Sequence, residues 1–487
     1  MKLLQDILYK SPMEAVHGDT SIRIADIAVN SADAGIDKLY VAIKGYSVDG
    51  HHFIDDAIAK GCHAIVCEDM PTTLVPGITY VKVKDSRAAF AYISCAWFDN
   101  PSEKLKLIGV TGTNGKTTSV TLLYNLFTDA GFDCGLISTI HVRIGSELLE
   151  ATHTTPDAYH LNQLLFRMAN NGVTHCFMEV SSHAVVQQRI ACICFSGALF
   201  TNITHDHLDF HKTFAAYIEA KKGFFDALPA DAFAITNMDD RNGMVMLQNC
   251  KARKLTYSLK SDSRYKCRIV ESNFNSLILS LDGIETICKL IGSFNAYNIT
   301  GVYAVAIELG MEPLQALTIL SNLNPPEGRF QSFTTAQGIT GIVDYAHTPD
   351  ALENVLKTIN NIAEGNEHII TIIGCGGNRD ATKRPVMARI ACELSGRVIL
   401  TSDNPRNEVP EDIIKQMEEG VSLSMRKKTL CLTDRREAIK AACSHAKKGD
   451  IILLAGKGHE KYQEINGVKY PFDDFEILNL TLQLFQN

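Results

Sequence analysis

The chain has no apolar run long enough to cross a bilayer. Its opening, MKLLQDILYKSPMEAV, carries Lys2, Asp6 and Lys10 where a leader would need an unbroken apolar core. A cytoplasmic protein without a membrane span is expected. Positive charge is not in excess: 47 Lys and Arg against 55 Asp and Glu leave −8. That argues against a nucleic-acid surface and leaves small anions to local basic sites. The 14 cysteines show no paired CxxC spacing, so neither a zinc site nor a disulfide framework is legible. Cys192 and Cys194 stand too close for a metal knuckle and read as filling a buried strand. Free thiols suit a reducing compartment. The standard phosphate-loop glycine is missing too: five residues before Gly115 stands Val110.

What is present is a shorter version of that loop. Leu105, Leu107, Ile108 and Val110 form a buried-strand run. Gly112-Thr113-Asn114-Gly115-Lys116-Thr117 is a glycine-bearing turn, and Thr117-Thr118 opens a helical period that Gly131 stops. A strand, a glycine turn and a helix N-terminus form a phosphate cradle. Backbone N–H groups and the helix dipole face the anion, Lys116 adds a point charge, and the Thr117 hydroxyl can hold Mg2+. A nucleoside triphosphate is therefore expected.

At 487 residues the length suggests about three domains, and we place them at 1–101, 102–331 and 332–487. The first alternates strands (39–43, 63–67, 78–83) with helices (53–60, 87–98). In the second, the strand 176–180 contains Glu179 at its C-terminal end, where a phosphate-loop protein holds magnesium. The strand 198–203 runs into Thr204-His205-Asp206-His207-Leu208-Asp209-Phe210-His211. Three histidines and two aspartates there suggest magnesium coordination with substrate contact. Lys221 and Lys222, read alone, are a solvated charged face. Residues 253–291 alternate apolar and polar and read as an antiparallel patch.

The third domain repeats the rhythm with strands at 341–345, 369–373, 398–401 and 451–455. Each ends in a polar loop, at 344–349, 374–380, 402–406 and 456–460. Ligands of open parallel sheets sit beyond the strand C-termini, so these four loops mark a second site. Gly374-Cys375-Gly376 is not a dinucleotide fingerprint, because Arg379 and Asp380 stand where small residues are required. The fold class is α/β, with three domains and a central P-loop-type mononucleotide-binding domain.

TGTNGKTT, EVSSH at 179–183, NITHDHLDFH, DYAHTP, GCGGNRD, DNPR and GKGHE, in this order, resemble the muramyl ligases of cell-wall synthesis. The resemblance spans essentially the whole chain. It implies an N-terminal α/β UDP-binding domain, the central ATP-binding domain and a C-terminal Rossmann-like domain that takes the amino acid. It points to the branch that adds a diamino acid to UDP-N-acetylmuramoyl-L-Ala-D-Glu with ATP and Mg2+, in a cytoplasmic monomer. The activity implied is an ADP-forming amide ligase working through an acyl phosphate.

The residues carried over are these. Lys116, Glu179, His207 and Lys221 are catalytic, and Thr117, Glu179, His207 and Lys221 (as its carbamate) hold metal. Gly112 to Thr118, Asn295, Asn298, Arg329 and Asp344 bind ATP. Ser31, His153, Thr154, Thr155, Ser181, Gln187 and Arg189 contact the UDP-substrate. Arg379, Asp403, Asn404, Pro405, Arg406, Gly456 and Glu460 hold the incoming amino acid. Arg406 can pair with the second carboxylate of meso-diaminopimelate, which lysine lacks. Asn30-Ser31-Ala32 departs from the Asp-Ser-Arg usual near the uracil pocket, and His153 stands where asparagine is common. The same reaction with L-lysine, or a folylpolyglutamate-type ligase, are the alternatives; an ATP-binding scaffold without activity is a third.

Overall fold

The computed structural model describes residues 1–45, 48–274, 276–363, 365 and 367–485. Three α/β units follow one another along it. In the first, β1 (Met13–His17), β2 (Asp26–Ala28), β3 (Lys38–Val41), β4 (Ala64–Cys67) and β5 (Thr79–Val83) form a sheet in the order β1-β5-β4-β3-β2. All strand pairs are parallel except β1 with β5. Helix α1 (Ser86–Trp97), capped by the Asp85 carboxylate, buries Phe90 and Ile93 in its core.

The central unit runs from β6 (Lys106–Thr111) through α2 (Lys116–Asp129), β7 (Cys134–Ile137), β8 (His141–Ile144), β9 (Glu147–Glu150) and α3 (Ala158–Asn170) to β10 (His175–Glu179) and β11 (Gly197–Phe200). Helix α4 (Phe214–Asp226), β12 (Phe233–Asn237), β13 (Arg253–Ser258), β14 (Tyr265–Ser272), β15 (Leu277–Leu281), β16 (Ile284–Cys288) and α5 (Ser293–Glu308) complete it. Its 11-stranded sheet has the order β9-β8-β7-β10-β6-β11-β12-β13-β14-β15-β16. The phosphate-loop strand β6 is central, with β10 and β11 parallel on either side. Their C-terminal ends therefore open at one edge, which is why the loop, Glu179 and the histidine loop meet.

Two local expectations change here. The patch at 253–291 is only partly antiparallel: β13 pairs in parallel with β12 and β14, and antiparallel pairing starts between β14 and β15. Short alternating strands do not encode direction; β13 follows a helical crossover and so returns parallel. Position 275 of that patch lies outside the described residues. Cys192 and Cys194 precede β11 in a loop, and Cys194 is exposed, so they fill no strand.

In the third unit β17 (Gln331–Thr334), β18 (Thr340–Asp344), α6 (Pro349–Ile362), β19 (Ile369–Ile373), α7 (Lys383–Leu394), β20 (Arg397–Leu400), β21 (Thr429–Cys431), α8 (Arg435–His445), β22 (Ile451–Ala455) and α9 (Asp474–Phe485) build a sheet in the order β17-β18-β22-β19-β20-β21. All but β17 are parallel, and β18, β19 and β22 are buried along their whole length. Arg435 and Asp474 tie α8 to α9 in a fully buried pair, with bonds of 2.8 and 2.6 Å. Among the described residues no helix is long and apolar enough to cross a membrane.

Candidate active site

Gly112 and Gly115 both have positive φ, 155° and 85°. A Cβ on Gly112 would lie 1.9 Å from Thr201 Oγ1, and one on Gly115 would lie 2.3 Å from Asn298 Oδ1. Both positions therefore require glycine, and the loop lies flat against the end of β11 and the start of α5. Asn202 holds it there: its carbonyl accepts from Thr113 N at 2.8 Å and its Oδ1 from Asn114 N at 2.9 Å. Gly115, as the N-cap of α2, has no side chain to cap the helix. The first N–H groups of α2 are thus free for an anion. Asn298 Nδ2 donates to Asn295 Oδ1 at 3.0 Å, joining those two predicted ATP positions behind the loop.

One carbonyl carries both lysines. Gly112 O accepts from Lys116 Nζ at 2.9 Å and from Lys221 Nζ at 2.8 Å. Burial lowers the pKa of both. Lys116 lowers that of Lys221 further, and Lys221 lies well below the ordinary lysine range. Lys221 is 1% exposed and sits over the Tyr217 ring. The solvated face read for Lys221 and Lys222 is absent, because Lys222 is buried as well and pairs with Asp226. Both are buried on α4, and Lys221 reaches the loop.

Glu179 ends β10 directly beside the helix start. Its Oε1 accepts from Thr117 Oγ1 at 2.8 Å and from Thr139 N at 2.8 Å. Its Oε2 is buried with no partner among the described residues. A buried carboxylate oxygen left open next to a hydroxyl is a donor pair that suits a hard divalent cation.

Around the same strand end cluster the predicted UDP-substrate residues. Thr155 Oγ1 donates to Glu179 O at 2.8 Å and accepts from Ser181 N at 3.1 Å. Arg189 donates to Thr155 O at 2.6 Å and to Gln187 Oε1 at 2.9 Å, and Thr139 Oγ1 donates to Thr154 Oγ1. His153 is exposed beside Thr152. Ser31 stays with its own domain, where its carbonyl accepts from Lys60 Nζ at 2.7 Å.

The histidine loop divides its labour. His207 is left-handed (φ 55°), 5.0 Å from the His183 ring, and burial holds its pKa down to about 4 against the pull of Asp206. His211 is buried on Ser182 Oγ at 2.9 Å, a packing role, and His205 stacks on Phe214. Among the described residues no three His, Cys, Asp or Glu side chains are placed to hold a metal together. Thr117 and Glu179 meet, and Lys221 reaches the loop at the Gly112 carbonyl.

The segment leading into the third unit, and the end of its strand β18, reach this site. Arg329 donates to Thr117 Oγ1 at 3.1 Å and lies over the Tyr345 ring. Asp344 Oδ2 accepts from Phe330 N at 2.6 Å, and burial raises its carboxyl to about 6 against the nearby Arg329. The other loops converge as their strand ends require. Asn404 Nδ2 donates to Glu460 Oε2 at 2.7 Å, and Gly456, at φ 116°, leaves room for Asp403 Oδ2. Pro405 is buried between them, and Arg406 (φ 52°) donates to Gly377 O at 2.8 Å. Arg379 is exposed at the rim. Burial and Asp403 both raise the Glu460 carboxyl.

Sequence reasoning passed over three residues. Lys457, fully buried, donates to Asn404 Oδ1 at 3.2 Å and to Tyr462 O, and it faces Glu460 at 3.5 Å. Its only signal was its place between two glycines of a strand-end loop. Thr139 carries no signal at all. Asp350 in the first turn of α6 reads as an ordinary helix-dipole acid.

Three sequence models match the chain: "Mur ligase family, catalytic domain" over residues 23–93, "Mur ligase middle domain" over 110–306, and "Mur ligase, glutamate ligase domain" over 328–458. The chain is 53% identical over 472 residues, 97% of each chain, to a Cytophaga hutchinsonii protein named UDP-N-acetylmuramoyl-L-alanyl-D-glutamate--2,6-diaminopimelate ligase. It is 49% identical to the Bacteroides fragilis protein of the same name, over 98% of each. A solved structure of a ligase of that name aligns with a TM-score of 0.71 at 30% identity, covering 100% of this chain and 99% of that one.

Proposed function

This chain belongs to the Mur ligase family, and from that premise we infer that it joins 2,6-diaminopimelate to UDP-N-acetylmuramoyl-L-alanyl-D-glutamate with cleavage of ATP to ADP and phosphate, in the synthesis of peptidoglycan precursor. The observation that carries this reading is the near-full-length identity to ligases of that name. The complete residue set supports it: the phosphate loop, Glu179, and the Asp403 to Arg406 loop facing Gly377 and Glu460. The folylpolyglutamate alternative has no use for the first hundred residues, which match a Mur ligase model.

In the reaction the γ-phosphoryl group moves to the D-glutamyl side-chain carboxylate. An amino group of diaminopimelate then attacks the acyl phosphate and expels phosphate. The protein's work is positioning and neutralising charge. Lys116 and the N–H groups of α2 hold the triphosphate. Asn295 and Asn298 support the loop from behind, and Arg329 and Asp344 meet the nucleotide across the domain junction. Thr117 Oγ1 and Glu179 Oε2 would hold Mg2+, with His207 nearby. The ion would spread the charge of the β- and γ-phosphates. Burial shifts Lys221 toward the amine form, the form that adds CO2 to give a carbamate and release a proton. In that state it would offer oxygens in place of a cation.

Thr154, Thr155, Ser181, Gln187 and Arg189 bind the UDP-sugar-peptide, with His153 at the rim and Ser31 supplied by the first domain. In the amino-acid site Asp403, Asn404 and Glu460 suit an ammonium group, and Gly456 leaves them space. Arg406, with Arg379 at the rim, suits the second carboxylate of the meso isomer. We place the enzyme in the cytoplasm, where its substrates are nucleotide-linked.

Phosphate release from ATP with the UDP-linked dipeptide, run beside L-lysine and meso-diaminopimelate, tests this reading. Turnover with meso-diaminopimelate alone supports it. Turnover with lysine alone overturns the amino-acid assignment, and none with either overturns the ligase reading.

A further inference from the structure

Strand β16 ends the central sheet, and among the described residues no strand pairs with its outer side. A cavity of about 490 Å³ runs beside it, between the strand and the helix Pro313–Asn322. The turn into β16 is Asp282-Gly283, both left-handed at φ 48° and 83°, so Leu281 and Ile284 close a two-residue hairpin. Alternation along an antiparallel ladder then turns the N–H and C=O groups of Glu285 and Ile287 outward, away from β15. Their side chains, with Lys289, are exposed, while Thr286 and Cys288 between them are buried. Ile287 is 58% exposed. It stands opposite the half-buried Ile278 of β15, so an apolar pair crosses the hairpin and stops at the open edge.

We propose that this edge pairs antiparallel with the same edge of a second copy, about a two-fold axis through Ile287. The charges select that register. Glu285 of each copy falls opposite Lys289 of the other, and Ile287 meets its own symmetry mate, so the outward N–H and C=O groups at the axis pair reciprocally. A register shifted so that Glu285 faces Ile287 leaves all four charges unpaired. Lys289 Nζ donates to Asn322 O at 2.9 Å and keeps two further N–H groups for the carboxylate. Leu314, 67% exposed beside the cavity, adds apolar surface to the seam. One strand pair with this much apolar area lies at the small end of specific interfaces, so association is a micromolar equilibrium rather than an obligate dimer. This departs from the monomer expected from the sequence.

Sedimentation velocity of the full chain across the micromolar range tests the proposal. The wild-type protein shifts from monomer to dimer mass with rising concentration. Glu285→Lys or Lys289→Glu alone weakens association about tenfold or more, because each creates two like-charge contacts. The exchange Glu285→Lys with Lys289→Glu restores it. Ile287→Pro removes only an outward N–H and abolishes association, and an unchanged melting temperature shows that the fold is kept. A protein monomeric throughout overturns the proposal. So does a dimer indifferent to the charge reversals, or one that the charge exchange fails to rescue.

Discussion

Asp350 Oδ2, in the first turn of α6, accepts hydrogen bonds from Asn114 Nδ2 of the phosphate loop at 3.0 Å and from Thr204 Oγ1 of the histidine loop at 3.1 Å. A single carboxylate oxygen of the third domain thus sets two loops of the central domain against each other. Asp350→Ala is expected to lower kcat by about tenfold through misalignment of the loop. A double-mutant cycle with Asn114→Ala, read in kcat/KM for ATP, should give a coupling of about 1 kcal/mol. Strict additivity would mean that the contact carries nothing.

The open oxygen of Glu179 makes a narrower prediction. Glu179→Gln keeps an oxygen for Thr117 and Thr139 and replaces only the unpartnered Oε2 by an amide. The melting temperature should hold, while kcat falls about 100-fold or more and the Mg2+ concentration needed for half activity rises. Equal activity would remove Glu179 from the metal site.

Asp344 gives a pH dependence of stability. Burial raises its native pKa to about 6, whereas an unfolded carboxyl titrates near 4. Between those values the native state holds a proton that the unfolded chain has released. Its contribution to stability is therefore greatest below the window and declines as pH rises through it. Asp344→Asn should remove that decline and raise unfolding stability at pH 7 by about 2 kcal/mol, in exchange for weaker ATP binding. Urea unfolding at several pH values measures the first effect, and the KM for ATP the second.

Arg406→Lys should raise the KM for meso-diaminopimelate by about 100-fold with the KM for ATP unchanged, because a point charge cannot replace a bidentate fork. Arg406 also donates to Gly377 O, so a parallel rise in the KM for ATP would assign it to holding the loops instead.

Replacing Asp474 by Asn leaves the Arg435 guanidinium fully buried without its counter-charge. A loss of about 3–5 kcal/mol is expected, read in denaturant unfolding. A loss below about 1 kcal/mol would mean that water reaches the pair.

Much of the site was legible because its chemistry is local. A phosphate loop occupies consecutive residues, and the strand ahead of it and the helix behind it have periods that can be counted. The same holds for Glu179 at a strand end and for the four polar loops of the third domain. Parallel sheets place such ends together whatever the intervening sequence. The burial of Lys222, the packing role of His211 and the parallel direction of β13 were not legible. Each depends on what another part of the chain places opposite it.

The sequence by itself determined the glycine turn, the strand-and-helix rhythm, the complement of charged side chains and the resemblance to a ligase family. These follow from residue type and spacing. Only the tertiary structure decided that Lys116 and Lys221, 105 positions apart, share the Gly112 carbonyl in a buried setting, and it is the burial that depresses both amines. It also decided that Glu179 keeps one oxygen open, and that Asp350 reaches across a domain junction to Asn114. The physical reason is common to all three. Dielectric environment and hydrogen-bond partners belong to the space between elements, and no single stretch of chain encodes that space.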